Sequence, residues 1–449
     1  MKQRQMLSVL LVAAAARCPS AQVEWVQMAT VAQPSARHSA GMSFDAARRR
    51  AVVFGGLGAT VLGDTWEWDA LQWSPCSPAH SPPARIDHRM VFDAARGVTL
   101  LFGGTDSTRD LADSWIWNGA DWSAASPVAS PAARYGHAMV YDSQRGQVVL
   151  FGGATHGNLL LDDTWTWDGT NWQQATPAVR PSPRSGHAMA YDEAHGTVVL
   201  FGGYAAGAVI LSDTWLWDGT SWQLTAPAVS PSARTKPAFF DGVAQAPPLL
   251  FGGYGTAPPR YLSDAWQWNG TTWVPVVSAS GPGPRQGAAS ALDPVRGAAI
   301  LFGGDPLSAD TWETSSFHAF GRGCPGSAGL PRMLPAQPPV AGQPFSVVLT
   351  GLPVQQPGFA FIGFSNSSWG LITLPVELSP VGMPGCVLYT PLDLTFAVAS
   401  TGSTGSLPWG LVVPPGSQGT LFFCQAAFPD AGTNPAGLVT TNGVRAVVQ

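Results

Sequence analysis

Over residues 23–319 apolar and polar positions alternate in short bursts, and the 3.6-residue spacing of a helix never persists long enough to form one. In the stretch that starts at Arg134, a first strand is expected over 137–141. It ends in the turn Asp142-Ser-Gln-Arg-Gly146, where glycine supplies a positive φ. A second strand is expected over 148–151, an apolar run suited to burial on both faces, and Gly152-Gly153 behind it leaves room for a close backbone approach. A third, over 164–167, alternates with period two and ends at the hairpin signal Asp168-Gly169, and a fourth begins at Trp172.

The same unit recurs. Phe-Gly-Gly begins at Phe54, Phe102, Phe151, Phe201, Phe251 and Phe302. Pro-x-x-Arg precedes each copy, ending at Arg37, Arg85, Arg134, Arg184, Arg234 and Arg285, and Asp-x-Trp follows, ending at Trp66, Trp115, Trp165, Trp215, Trp266 and Trp312. Four antiparallel strands repeated about every 50 residues predict a β-propeller rather than a helical solenoid. The tryptophan of each fourth strand lies 12 residues before the next Arg, as in Trp73 to Arg85, and Trp25 stands 12 before Arg37. The chain thus opens with a fourth strand that lacks its first three, while the sixth repeat has Ala319 where its second tryptophan is due. Placing the Trp25 strand on the sixth blade closes a six-bladed ring and removes the exposed sheet edges.

These residues resemble the kelch repeat, found also in the central domain of galactose-oxidase-like proteins, over roughly residues 23–319. The resemblance implies an all-β fold, a six-bladed kelch-type β-propeller. It leaves function open, because kelch propellers include enzymes, actin binders and adaptor modules. Copper chemistry of the galactose-oxidase type would need two Tyr, two His and a Cys–Tyr crosslink, and no such constellation is found, Cys76 being the one cysteine of the propeller. Nor can the acid–base residues of a six-bladed sialic-acid mutarotase be placed. No catalytic residue, metal site or cofactor is assigned.

Sixteen of the 19 tryptophans fall between Trp66 and Trp312, where packing between blades accounts for them. The six Arg and the Asp before each Trp (Asp64, Asp113, Asp163, Asp213, Asp264, Asp310) recur in every blade. A catalytic acid or base is needed once, whereas a fold constraint is needed in each blade. We therefore read them as structural and ask whether each Arg meets an Asp. His88, His137 and His187 share one position in three neighbouring blades and are read as structural rather than metal-binding.

Charge and the two ends narrow the function. Charged residues make up only 11% of the chain, net charge is −5, and Lys2 and Lys236 are its only lysines, so no nucleic-acid partner is expected. Lys2 and Arg4 precede an apolar run at 6–16, which fits a signal peptide over 1–16, with cleavage as late as 21. A secreted or cell-surface protein follows, with no membrane insertion after cleavage and a monomeric state. Residues 320–449 alternate short apolar strands with Pro/Gly turns and predict a small β-sandwich domain. This segment resembles a C-terminal domain common in secreted proteins of planctomycete-type bacteria, through Gly323-Cys-Pro-Gly-Ser327, Ser368-Trp-Gly370, Gly382-Met-Pro-Gly-Cys386 and Gln425-Ala426. Cys324 and Cys386, in mirrored Pro-Gly contexts, are the expected disulfide; whether Cys76 pairs with Cys424 stays open.

Variation among uniform repeats marks where specificity can reside. The connections between Gly-Gly and Asp-x-Trp vary most, and they share one face with the links between blades. Arg109, His156, Tyr204, Tyr254 and Arg260 on that face are the candidate ligand-binding residues. The expected function is non-catalytic binding of an extracellular protein or polysaccharide. A carbohydrate-active enzyme of the kelch/galactose-oxidase-like type and a structural or adhesive cell-surface component are the alternatives.

Overall fold

A computed structural model describes residues 23, 25–28, 30, 32–70, 72–157, 159–243, 247–278, 281–294, 296–314, 317–320, 327, 331–337, 342–364, 368–369, 372–373, 376–378, 383, 387–388, 392–398, 406–414, 421–431, 435–436, 438–441 and 443–447. The expected signal segment and the expected Cys324–Cys386 disulfide lie outside the described residues. Within them the chain is all-β, built mostly of four-stranded antiparallel sheets.

Six antiparallel sheets, the blades, follow one another from Gly41 to Thr314, five of them four-stranded and blade 5 five-stranded. Blade 3 runs Ala138–Asp142, Gln147–Ala154, Leu160–Trp167 and Trp172–Ala175, each strand paired with its neighbour in sequence. Its second and third strands are longer than the apolar pattern indicates, because Gly-Gly does not end the strand. The register shifts between Phe151 and Gly153, and Gly152 and Gly153 take φ of 61° and 106°, so the pair forms a bulge beyond which the ladder continues. A Cβ on Gly152 would lie 2.9 Å from the Arg184 carbonyl oxygen of the next blade, which is the close approach that glycine permits.

The inner strands Gly41–Asp45, Arg89–Asp93, Ala138–Asp142, Ala188–Asp192, Ala238–Phe240 and Ala289–Asp293 each pack on the next, and the last packs on the first. The inner strand of blade 5 is split, with Arg234–Thr235 separate, because Pro237 has no N–H to donate. Blade 6 has three strands from its own repeat, and Trp25–Met28 supplies the fourth by pairing antiparallel with Thr311–Thr314, Trp25 opposite Thr314.

The seams between blades repeat a few contacts. The fourth-strand tryptophan donates its indole N–H to a hydroxyl on the third strand of the preceding blade: Trp122 to Thr65, Trp172 to Ser114, Trp222 to Thr164, Trp273 to Thr214, and, across the closure, Trp73 to Thr311 at 2.8 Å. The same rings pack on phenylalanines of that blade, with Phe102 and Trp172 centroids 5.1 Å apart. Trp25 takes this place against blade 5, packed on Phe251, but Ala265 stands where the other blades carry Thr or Ser, and the Trp25 indole N–H has no acceptor among the described residues.

After blade 6, Phe317–Phe320 pairs with Gly443–Val447 in a sheet that also holds Leu421–Pro429, Gly358–Gly363 and Leu394–Val398. A second sheet of Arg332–Gln337, Pro344–Thr350 and Leu407–Val412 shares one buried cluster with it, and the Phe345 and Phe422 rings meet edge-on at 5.3 Å. Trp409 packs against this cluster, while Cys424 within it and Cys76 in the propeller are both free thiols.

Candidate functional site

The repeated charges are consumed by the fold. Arg134, fully buried, gives Nη1 and Nη2 to the two carboxylate oxygens of Asp163 at 2.6 and 2.8 Å, Nη1 also to the Gly152 carbonyl, and Nε to the Ala132 carbonyl. Asp163 in turn accepts the Trp165 indole N–H at 2.7 Å. The same bidentate pair forms in every blade: Arg37–Asp64, Arg85–Asp113, Arg184–Asp213, Arg234–Asp264 and Arg285–Asp310. Burial works against the ionised Asp163, yet the Arg134 hydrogen bonds and charge hold its carboxyl below the usual carboxylate range. Each Arg thus meets its Asp within its own blade, and the pairs form a girdle.

His88, His137 and His187 are fully buried and pack edge-on against Phe54, Phe102 and Phe151 of the preceding blade, with centroids 5.7, 5.5 and 5.4 Å apart. Among the described residues both ring nitrogens of His88 and His137 lack hydrogen-bond partners, and His187 approaches only the Phe151 main chain. Burial, reinforced by Arg85 and Arg89, pulls His88 down to about 3, and burial likewise pulls the other two well below the usual histidine value. These are neutral packing rings. Among the described residues no group of three or more His, Cys, Asp or Glu is placed to hold a metal ion.

The blades stop being alike at the axis. Two residues after each girdle Arg stand Ser39, Asp87, Gly136, Gly186, Lys236 and Gly287. Their main chains form a closed circle: each N–H donates to the carbonyl of the equivalent residue in the preceding blade, Ser39 to Gly287, at 2.6–3.0 Å. The circle requires the left-handed conformation, natural for the three glycines, while Ser39, Asp87 and Lys236 adopt it at φ of 57°, 53° and 49°. Non-glycine residues held there store strain and concentrate at ligand clamps.

Those three side chains meet across the axial mouth. Lys236 of blade 5 donates to both Asp87 oxygens at 2.8 and 3.0 Å and approaches the Ser39 hydroxyl at 3.4 Å, so an ion pair joins blades on opposite sides of the ring. Burial disfavours the Asp87 anion, but Lys236 outweighs it and holds the carboxyl below its usual range. Beneath the pair, Arg89 reaches a cavity of about 90 Å³ also lined by Ser39, Asp87 and Lys236. Burial lowers the Arg89 guanidinium from its usual value, with Asp87 in partial opposition. Further down the axis, a cavity of about 270 Å³ lies between Met42, Met90, Met139, Met189 and the aromatic rings of Phe44, Phe92, Tyr141 and Tyr191. There Asp241 occupies the position of those rings and accepts the Tyr191 N–H at 2.8 Å, and burial pushes its carboxyl up to about 6.

The variable connections surround the axial mouth. The residue after Gly-Gly pairs with the residue after the girdle Arg: Leu57 with His38, Thr105 with Ile86, Ala154 with Tyr135, Tyr204 with Ser185, Tyr254 with Thr235 and Asp305 with Gln286. Each varied side chain is therefore one pairing and one residue away from the axial circle. Tyr204 and Tyr254 sit on hairpin arms, opposite Ile210 and Tyr261, rather than in open loops.

The five candidate residues fall in three places. Arg260 donates to the Tyr254 hydroxyl at 3.0 Å and lies over its ring, and the ring meets Tyr261 edge-on at 5.3 Å. Tyr261 continues to Asp305, which Gln286 also reaches. Arg109 is exposed and pairs with Asp106, and the next residue, Asp110, accepts from His156 of blade 3, tying two blades together. Tyr204 is 40% exposed on blade 4. Reading motif by motif misses Ser39, Asp87, Arg89 and Lys236. The signal is present once the repeats are aligned on the girdle Arg: one column holds three glycines, a serine, an acid and the only lysine of the repeats.

The KLHDC2/KLHL20/DRC7 Kelch-repeats domain model matches residues 119–304, less than half of the chain. The propeller is of the kelch type. No curated protein matches the chain.

Proposed function

We propose that this chain is an exported, non-catalytic binding protein whose propeller engages a protein partner through the face carrying the axial mouth and the variable hairpins. One observation carries the reading: the ionisable groups repeated in every blade are bonded into the girdle, whereas the side chains that differ between blades gather on one face. Kelch domains generally mediate protein interactions, in line with this reading. A polysaccharide partner is the second reading, favoured by the Tyr254–Tyr261 pair with Arg260 above it, a stacking surface with a cation suited to a sugar ring.

The test uses the mature chain against envelope proteins and a glycan array, with a Tyr204→Ala, Tyr254→Ala, Arg260→Ala triple variant and a control variant, Gln144→Ala, in a turn between first and second strands. Binding lost in the triple variant and kept in the control supports the face. Binding that survives in the triple variant contradicts it. Export is checked by sequencing the N-terminus of chain recovered outside the cytoplasm, which should begin between residues 17 and 22. The carbohydrate-active enzyme is distinguished by turnover, and the structural component by retention with the envelope in the absence of a defined ligand.

A further inference from the structure

We propose that the axial mouth is a binding site for a small anion, best matched by a carboxylate, held by Arg89 with Lys236 beside it. The proposal does not depend on which macromolecule the surrounding face engages. Arg89 breaks the repeat: the equivalent residues are Gly41, Ala138, Ala188, Ala238 and Ala289, so no fold constraint calls for a guanidinium there. The girdle arginines each hold a carboxylate, but Arg89 forms no ion pair among the described residues, and its hydrogen bonding consists of a 3.5 Å contact to the His88 carbonyl. A half-buried cation with most of its five donors unspent is costly unless a counter-charge satisfies it.

The other donors around the mouth are committed. All six main-chain N–H groups of the axial circle are used within the circle. The Lys236 ammonium is turned to Asp87 and Ser39, which leaves two cations facing one carboxylate. A planar anion can take two parallel N–H bonds from Arg89, the arrangement that guanidinium favours. The cavity, about 90 Å³, has room for a carboxylate head and a few waters but not for a sugar ring. A larger ligand would insert only its acidic group and leave its body among the variable hairpins.

The experiment is calorimetric titration of the mature full chain with sodium acetate, with sodium galacturonate and with galactose as the neutral control, at constant ionic strength. Saturable binding of acetate identifies a free small anion as sufficient. Binding of galacturonate without acetate identifies a carboxylate presented on a larger body. Either supports the site, provided Arg89→Ala weakens it at least tenfold and Arg89→Lys, which keeps charge but not the planar fork, falls between. Both variants should fold, since other blades carry alanine at this position, and a circular dichroism melt verifies it. Binding of neither acid, equal binding of galactose and galacturonate, or unchanged affinity in folded Arg89→Ala overturns the proposal.

Discussion

The girdle and the axial circle lie two residues apart in sequence and obey opposite rules. At the girdle all six blades place the same Arg on the same Asp, and the arrangement is fully bonded. At the circle the main chain repeats faithfully, yet three of its six side chains differ, sit in strained conformations and converge on one opening. Repetition here marks what a blade needs in order to exist, and departure from repetition marks what the molecule needs only once. At the closing seam the departure is Ala265, and among the described residues it leaves the Trp25 indole without the acceptor that every other seam tryptophan has.

Removing a girdle arginine should have the largest effect. Arg134→Ala leaves Asp163 without its counter-charge, with the Trp165 N–H as its remaining side-chain donor, removes the guanidinium bond to the Gly152 carbonyl, and should cost about 3–5 kcal/mol in denaturant unfolding. Combined with Asp163→Ala, the loss should be clearly less than the sum of the two single losses. A fully additive pair would mean that the girdle is not a coupled unit.

The buried histidines predict acid sensitivity at a higher pH than the girdle carboxylates do. Their folded pKa values lie below the unfolded value near 6.5, so the unfolded chain binds more protons as pH falls below that value. Stability is therefore intact above about pH 6.5 and declines as pH falls below it, by up to about 1.4 kcal/mol per pH unit for each histidine. The girdle aspartates, held below their usual range, add losses only below about pH 4. Melts of a His88→Ala, His137→Ala, His187→Ala variant should show a flatter limb between pH 6 and 4. An unchanged slope would assign the acid sensitivity elsewhere.

Asp241 has the opposite sign. Its folded pKa is raised to about 6, so its ionised form burdens the fold at neutral pH and the burden disappears in acid. Asp241→Asn, which can still accept the Tyr191 N–H, should stabilise by about 1–2 kcal/mol at pH 8 and by nothing below pH 4. The seam should respond more modestly. Ala265→Thr offers the Trp25 indole an acceptor in the place of Thr65 or Thr214 and should add about 1 kcal/mol. A drop in melting temperature would mean that the hydroxyl cannot reach the ring.

Much of the propeller was legible because its determinants are local and repeated. Phe-Gly-Gly, the paired tryptophans and the Asp-Gly or Asn-Gly turns of blades 2 to 5 fix strands and hairpins locally, and the constant 12-residue spacing carries through to the pairing of Trp25–Met28 with Thr311–Thr314. The bulge at Gly152-Gly153 was not, since an apolar run followed by glycines reads the same whether the strand ends or kinks and goes on. The candidate site was legible as a face but not as a constellation. Tyr254 and Arg260, six residues apart, come together, whereas Asp87 and Lys236, 149 residues apart, meet only because the ring curves them to opposite sides of one opening. No local pattern encodes that meeting.

Arginines repeated in every blade build the ring, whereas the axial Arg89 does not. Denaturant unfolding of Arg134→Ala and Arg89→Ala, side by side at pH 7, tests it most directly. Arg134→Ala should be lower by several kcal/mol, and Arg89→Ala should lose no more than about 0.5 kcal/mol relative to the parent chain. Equal losses in the two variants would contradict it and make the axial arginine one more structural residue.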